Sequence, residues 1–126
     1  MKKFLVTLVT ATVLTLGAAQ ASAQTAPATS PTTILHVVPV KWKAGTTPEQ
    51  IKAALDGVSA LPAAYKGIVR VWIRSIKVQG GKANAFVMEF ADEAALKEYA
   101  GSAAQKEWYK TYLPIRDEST TFDITN

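Results

Sequence analysis

The chain has 126 residues, 48% of them apolar and 19% charged, with no Cys, one His and a formal net charge of +4. That length suits one domain and leaves no room for two, and the apolar share excludes a disordered chain. Without Cys there is no disulfide, Cys-ligated zinc, iron–sulfur cluster or thiol nucleophile, and a single His excludes the common two- and three-His metal sites.

Lys2 and Lys3 make a short positive patch, residues 4–19 carry no charge, and Ala21-Ser22-Ala23 supplies small residues of the A-x-A type. This three-part pattern predicts a secretory signal peptide over residues 1–23, with an uncleaved anchor as the alternative. The run is short for a membrane span and is diluted by Thr7, Thr10, Thr12, Thr15 and Gly17. A lipoprotein is excluded, because its lipidation needs a Cys. Cleavage leaves 126 less 23, or 103 residues, with 12 basic and 10 acidic side chains. The basic balance therefore owes much to the leader and argues against a nucleic-acid partner. The expected location is periplasmic or extracellular, with no membrane attachment after cleavage. Residues 24–33, QTAPATSPTT, are small, polar and Pro-rich, and read as a flexible linker. The folded domain is expected over residues 34–126.

Ile34–Trp42 is rich in β-branched residues and predicts a strand. Ile34, His36, Val38, Val40 and Trp42 share one face; Leu35, Val37 and Pro39 share the other. Both faces are apolar, so both should be covered, and Pro39 implies a bulge or an unpaired position. Thr47-Pro48-Glu49-Gln50 is a helix start, with Thr47 as cap, Pro48 in the first turn and Gln50 closing a capping box. Ile51, Ala54, Leu55 and Val58 line one face of that helix, and Leu61-Pro62 should end it. A second strand is expected over residues 67–79, with Val69, Val71 and Ile73 on one face and Ile68, Arg70, Trp72, Arg74 and Ile76 on the other. Gly80-Gly81 is a hairpin turn, and Asn84–Phe90 returns as the third strand. Asp92 caps the next helix, whose inner stripe is Leu96, Tyr99 and Ala100. After a bend at Gly101-Ser102, Ala104, Trp108 and Tyr112 share a face, and Pro114 closes the helix. A short last strand is expected over residues 119–125.

The order βαββαβ predicts an α+β, ferredoxin-like fold: an antiparallel sheet with helices on one face. The other face is too apolar for water, and the same face of a second copy would cover it. The chain is therefore expected to form a homodimer.

The stretch 34–126 resembles the stress-responsive dimeric α+β barrel (Dabb) family. The resemblance rests on His36 with Lys41-Trp42-Lys43, on Thr47-Pro48-Glu49-Gln50-Ile51, on Pro62 followed by Gly67-Ile68, on Ala94-Ala95-Leu96 followed by Tyr99, and on Asp123 in the last strand. It implies a dimeric α+β barrel. The family commonly carries a His-Pro-x-His segment after that Tyr, and a polyketide cyclase of the family uses the Tyr and the second His. Here the segment reads Ser102-Ala103-Ala104-Gln105. Gln neither takes nor gives a proton near neutral pH, so Gln105 cannot serve as a general base.

The candidate ligand-binding residues are His36, Tyr99, Gln105 and Trp108, expected near one another between the sheet and the later helices. Gln105 and Trp108 neighbour each other on a helix. Tyr99 lies on the inner stripe just before, and His36 joins them if its side of the strand is the covered one. Each residue also has a plain packing reading. His36 and Tyr99 are the only catalytic candidates. Arg70 and Arg74, alternating with Trp72, could bind an anion, but an edge or interfacial charge ladder fits better. No metal site and no cofactor are expected: the sequence contains no dinucleotide or phosphate loop, no HExxH and no G-x-S-x-G. Haem would have to rest on His36 alone. The leading reading is an exported module binding a small apolar molecule, without catalysis. The alternative is a cofactor-independent enzyme of the cyclase or monooxygenase kind. Retention of the family's His at position 105 would have favoured the enzyme.

Overall fold

The computed structural model describes residues 32–126. The predicted signal peptide and all of the linker except Thr32 and Thr33 lie outside the described residues. The elements are β1 (Ile34–Trp42), α1 (Pro48–Ala64), β2 (Ile68–Trp72), β3 (Asn84–Phe90), α2 (Glu93–Tyr99), α3 (Ala103–Tyr112), β4 (Arg116–Ser119) and β5 (Phe122–Ile124). The fold is ferredoxin-like α+β. The sheet order is β2-β3-β1-β4, every pairing is antiparallel, and β5 joins β1 beside β4.

The core lies between one face of this sheet and the helices. Val38, Val40 and Trp42 of β1 and Phe86, Met88 and Phe90 of β3 meet Ala54, Val58 and Leu61 of α1 and Trp108 and Tyr112 of α3. Alternation along β1 and β3 delivers these side chains to one side. The helix caps follow the sequence. Thr47 Oγ1 accepts from the Gln50 N–H at 3.2 Å, and Gln50 Oε1 accepts from the Thr47 N–H at 2.9 Å. Asp92 caps α2 through the Ala95 N–H at 2.8 Å. Gly101, at φ 79°, turns the chain into Ser102, which caps α3.

Three expected elements differ. First, α1 does not stop at Leu61-Pro62 but runs to Ala64. Pro62 sits in the last turn, where its φ suits a helix and only one intrahelical donor is lost. The end is held by the Tyr65 N–H on the Leu61 carbonyl, 2.8 Å, and the Tyr65 hydroxyl on the Ala95 carbonyl, 2.7 Å.

Second, β2 ends at Trp72 rather than Gln79, and a register shift between Ile68 and Arg70 changes its facing. Ile68 and Val71 pair with Phe90 and Met88 on the covered side, while Arg70 and Trp72 pair with Glu89 and Val87 on the open side. Ile68 is therefore buried on the side of Val71 instead of sharing a face with Arg70 and Trp72 as expected, and Val69 is 55% exposed. Beyond Trp72 the Ser75 hydroxyl accepts the Ala85 N–H at 3.3 Å, taking a place that a backbone carbonyl would fill in a longer ladder.

Third, the single last strand is two short ones. β4 pairs with Val40–Trp42 and β5 with residues 35–37 of β1, and the handover falls opposite Pro39, which has no N–H to offer. The Thr120 N–H donates to the Pro39 carbonyl at 3.1 Å across the gap.

Helices cover one face of the sheet. The other presents Leu35 and Val37 of β1, Trp72 of β2, Val87 of β3, and Phe122 and Ile124 of β5, the last two each about half exposed.

Candidate functional site

His36 lies on the covered side of β1, opposite Met88 of β3 and in line with Val38 and Val40. On its other flank β5 places Asp123 directly across. The His36 Nδ1 and Asp123 Oδ1 are 2.6 Å apart. An ionised carboxylate only accepts, so Nδ1 carries the proton and Nε2 is the ring's remaining polar atom. The imidazole packs edge-on against Phe90, 5.8 Å between centroids.

A cavity of about 80 Å³ opens beside this ring, between the sheet and the α2–α3 segment. His36, Tyr99, Gln105 and Trp108 all line it. Tyr99 is at the end of α2 and tilts against Phe90 at 5.3 Å. Trp108 is locked: its indole N–H donates to the Ala54 carbonyl at 2.9 Å, and its ring stacks on Tyr112 at 4.5 Å and 14°. Gln105 is only partly available. Its Oε1 accepts the Gly101 N–H at 2.7 Å, fixing the bend between the helices. Its side-chain amide remains a donor.

Among the wall residues that the sequence did not single out as ligand contacts are Tyr112, Arg116 and Ser119. Tyr112 was legible as a helical neighbour of Trp108 but reads equally as core. Arg116 follows Pro114 where no periodicity guides a reading. The hydroxyls of Tyr99 and Tyr112 and the Nε of Arg116 are buried without a hydrogen-bond partner. Burial pushes the Tyr99 phenol well above its ordinary range, helped by Tyr109. Tyr112 is also raised, mainly by burial, with Ser119 and Arg116 pulling partly against it. Both therefore stay protonated at neutral pH and can donate.

The arginine pattern of β2 resolves into an internal pair. Arg70 lies 2.8 Å from the buried carboxylate of Glu89 and 4.7 Å over the Trp72 ring. Arg74 falls past the strand end. Among the described residues there is no group of three or more His, Asp or Glu that could hold a metal ion, and no helix long and apolar enough to cross a membrane.

Residues 34–126 match the model of the stress responsive A/B barrel domain family, Dabb. The chain belongs to that family. None of the curated proteins compared with it matches. Among solved structures, the chain is similar to a Dabb family protein of Mesorhizobium loti with a ferredoxin-like fold, at 22% identity and TM-score 0.63, over 75% of this chain and 96% of that one. A dimeric ferredoxin-like protein of Bacteroides fragilis is similar at 16% identity and TM-score 0.63, over 78% and 100%. The hydroxynitrile lyase of Passiflora edulis is similar at 15% identity and TM-score 0.67, over 76% and 94%. At these identities the likeness concerns the fold. Dabb chains with this architecture thus sit beside dimeric proteins and at least one enzyme.

Proposed function

We propose that this Dabb protein is exported, forms a homodimer through the open sheet face, and binds a small, largely apolar molecule in the cavity beside His36. The observation that carries the reading is the make-up of that wall. Aromatic and aliphatic side chains, among them Phe86, Met88, Tyr99 and Trp108, alternate there with a few polar ones, His36, Gln105, Arg116 and Ser119, as in ligand sites. The exposed Trp72, Phe122 and Ile124 support the dimer, as does the dimeric state of the Bacteroides fragilis protein. The leader pattern of residues 1–23 supports export.

Native mass spectrometry of the protein recovered from an exporting host tests all three parts. The expected species is a dimer of chains beginning at Gln24, carrying a discrete small-molecule adduct. Thr121, exposed at the cavity wall, allows a specific control. Thr121→Trp should obstruct the cavity and remove the adduct without unfolding the chain. A bare monomer would overturn the reading.

A second reading is favoured by one contact. The 2.6 Å His36–Asp123 pair fixes the imidazole tautomer and orients the ring, as a general base needs. A cofactor-independent acid–base enzyme, with Tyr99 as partner, therefore stands as the alternative. Turnover by the native protein that Asp123→Asn reduces severalfold, without loss of binding, would move the assignment to that alternative.

A further inference from the structure

Residues 73–78, IRSIKV, carry the alternation of a strand, yet they stand outside the sheet. β2 leaves its ladder at Trp72. Among the described residues no backbone group of this segment finds a backbone hydrogen-bond partner, and only the Ser75 hydroxyl ties it to β3. Beyond it Gly80 and Gly81, both at positive φ, turn the chain back. Ile76 is 98% exposed, far more than any other large apolar side chain described. Arg74 and Lys77 flank it, exposed and in no ion pair among the described residues.

A β-branched segment with free backbone groups, continuing an edge strand, is suited to joining another edge. Its own counterpart in a second copy fits poorly. A two-fold axis through the middle of the segment would set Arg74 opposite Lys77, and like charges across a ladder destabilise it. The order β2-β3-β1-β4 leaves β4 as the other edge of the path, and β4 carries the opposite charge in the exposed Asp117 and Glu118. Each already meets a lysine of its own chain, Lys41 at 2.8 Å and Lys82 at 2.6 Å, but a carboxylate accepts several bonds.

Within one chain β4 lies across the sheet from β2, three strand spacings or about 14 Å away, with β3 and β1 between. Open faces brought together change this. Turning one copy over about an axis parallel to the strands reverses the strand order, so each β2 edge stands over the β4 edge of the other copy. Facing sheets are about 10 Å apart, and six extended residues reach about 20 Å, enough to cross and still pair.

Resting on the homodimer reading above, we infer that residues 73–78 are an exchanged arm: each copy's arm adds a strand to the β4 edge of the other, with its cations beside the partner's Asp117 and Glu118. Alternation carried on from Trp72 turns Ile76 to the open side, in among the apolar side chains that the two faces bring together.

Zero-length carbodiimide cross-linking of the full chain tests the pairing, on an equal mixture of ¹⁴N and ¹⁵N protein. Lys77 is expected to link to Asp117 or Glu118 in peptides of mixed isotope, which only two different chains can give. The Lys82–Glu118 pair should link within one isotope and serves as the control. The Arg74→Glu, Lys77→Glu double variant alters two exposed side chains and should still fold. Its dimer dissociation constant in sedimentation is expected to rise about tenfold or more. An unchanged dimer without the mixed Lys77 link overturns the arm and leaves the open-face dimer standing. A parent chain that is monomeric overturns both. Binding to phosphatidylglycerol vesicles that Ile76→Ser abolishes, with the dimer unaffected, would overturn the arm and give the segment to a lipid surface.

Discussion

His36, Tyr99, Gln105 and Trp108 could be placed on one wall from sequence because each sits on a regular element. Helical spacing ties Gln105 to Trp108, and strand alternation aligns His36 with Val38. What spacing could not show was the chemistry of the partners. Asp123 meets His36 only because β5 returns to β1 in one register, and Arg116 enters the wall from a strand that no pattern announces. The tyrosines allow a prediction at this scale. Unfolded, a tyrosine loses its proton near pH 10, whereas burial holds Tyr99 and Tyr112 above that. Below pH 10 both states keep the proton and nothing is lost. Above it the unfolded chain ionises first, so stability falls as pH rises. At pH 11 the Tyr99 share is about 1 kcal/mol. The urea midpoint of the Tyr99→Phe, Tyr112→Phe double variant is expected to drop less between pH 9 and pH 11 than that of the parent chain. Parallel drops would show that neither hydroxyl is sequestered.

Two helix starts were readable to the residue, because Thr47 and Asp92 act through local hydrogen bonds; Ser102, read only as part of a bend, proves to be the third cap. Ends and facings were less so. The shift at Ile68 to Arg70 depends on which residues of β3 lie opposite, and the split between β4 and β5 depends on Pro39 in another strand. Both are tertiary facts that a local pattern does not carry. The packing of α1 on α3 gives a prediction for elements. Gly57 leaves room for the Trp108 ring: a Cβ there would stand 2.6 Å from Trp108 Cδ1. That ring cannot retreat easily, being stacked on Tyr112 and bonded to Ala54. In an exposed helix, Gly→Ala would gain roughly 1 kcal/mol. Here overpacking, typically about 1–3 kcal/mol, outweighs it. Gly57→Ala should destabilise the fold by about 1 kcal/mol in urea denaturation and shift Trp108 fluorescence. A neutral or stabilised variant would mean that α3 moves aside freely.

At the scale of the molecule, the sheet joins two functions on one short strand. β5 turns Phe122 and Ile124 to the open face, and Asp123 between them to His36. Alternation forces this: neighbours on a strand point to opposite sides. β5 is three residues long and pairs only with β1. Its remaining tie is the Thr125 hydroxyl on the Thr33 carbonyl, 3.1 Å. An isolated edge of this length frays easily, because few backbone bonds offset the entropy of ordering it. A second copy seated on Leu35, Val37, Phe122 and Ile124 would bury the outward side chains and hold the strand down. The dimer would then steady the His36–Asp123 pair without touching it. Ile124→Glu places a charge on that face, about 50% exposed in the single chain, so the chain itself should still fold. The expected result is a halved mass in light scattering, together with loss of the downfield Nδ1 proton signal that a short imidazole–carboxylate contact gives. A monomer that keeps the signal would separate assembly from the site. A dimer that survives the substitution would place the contact elsewhere on the sheet.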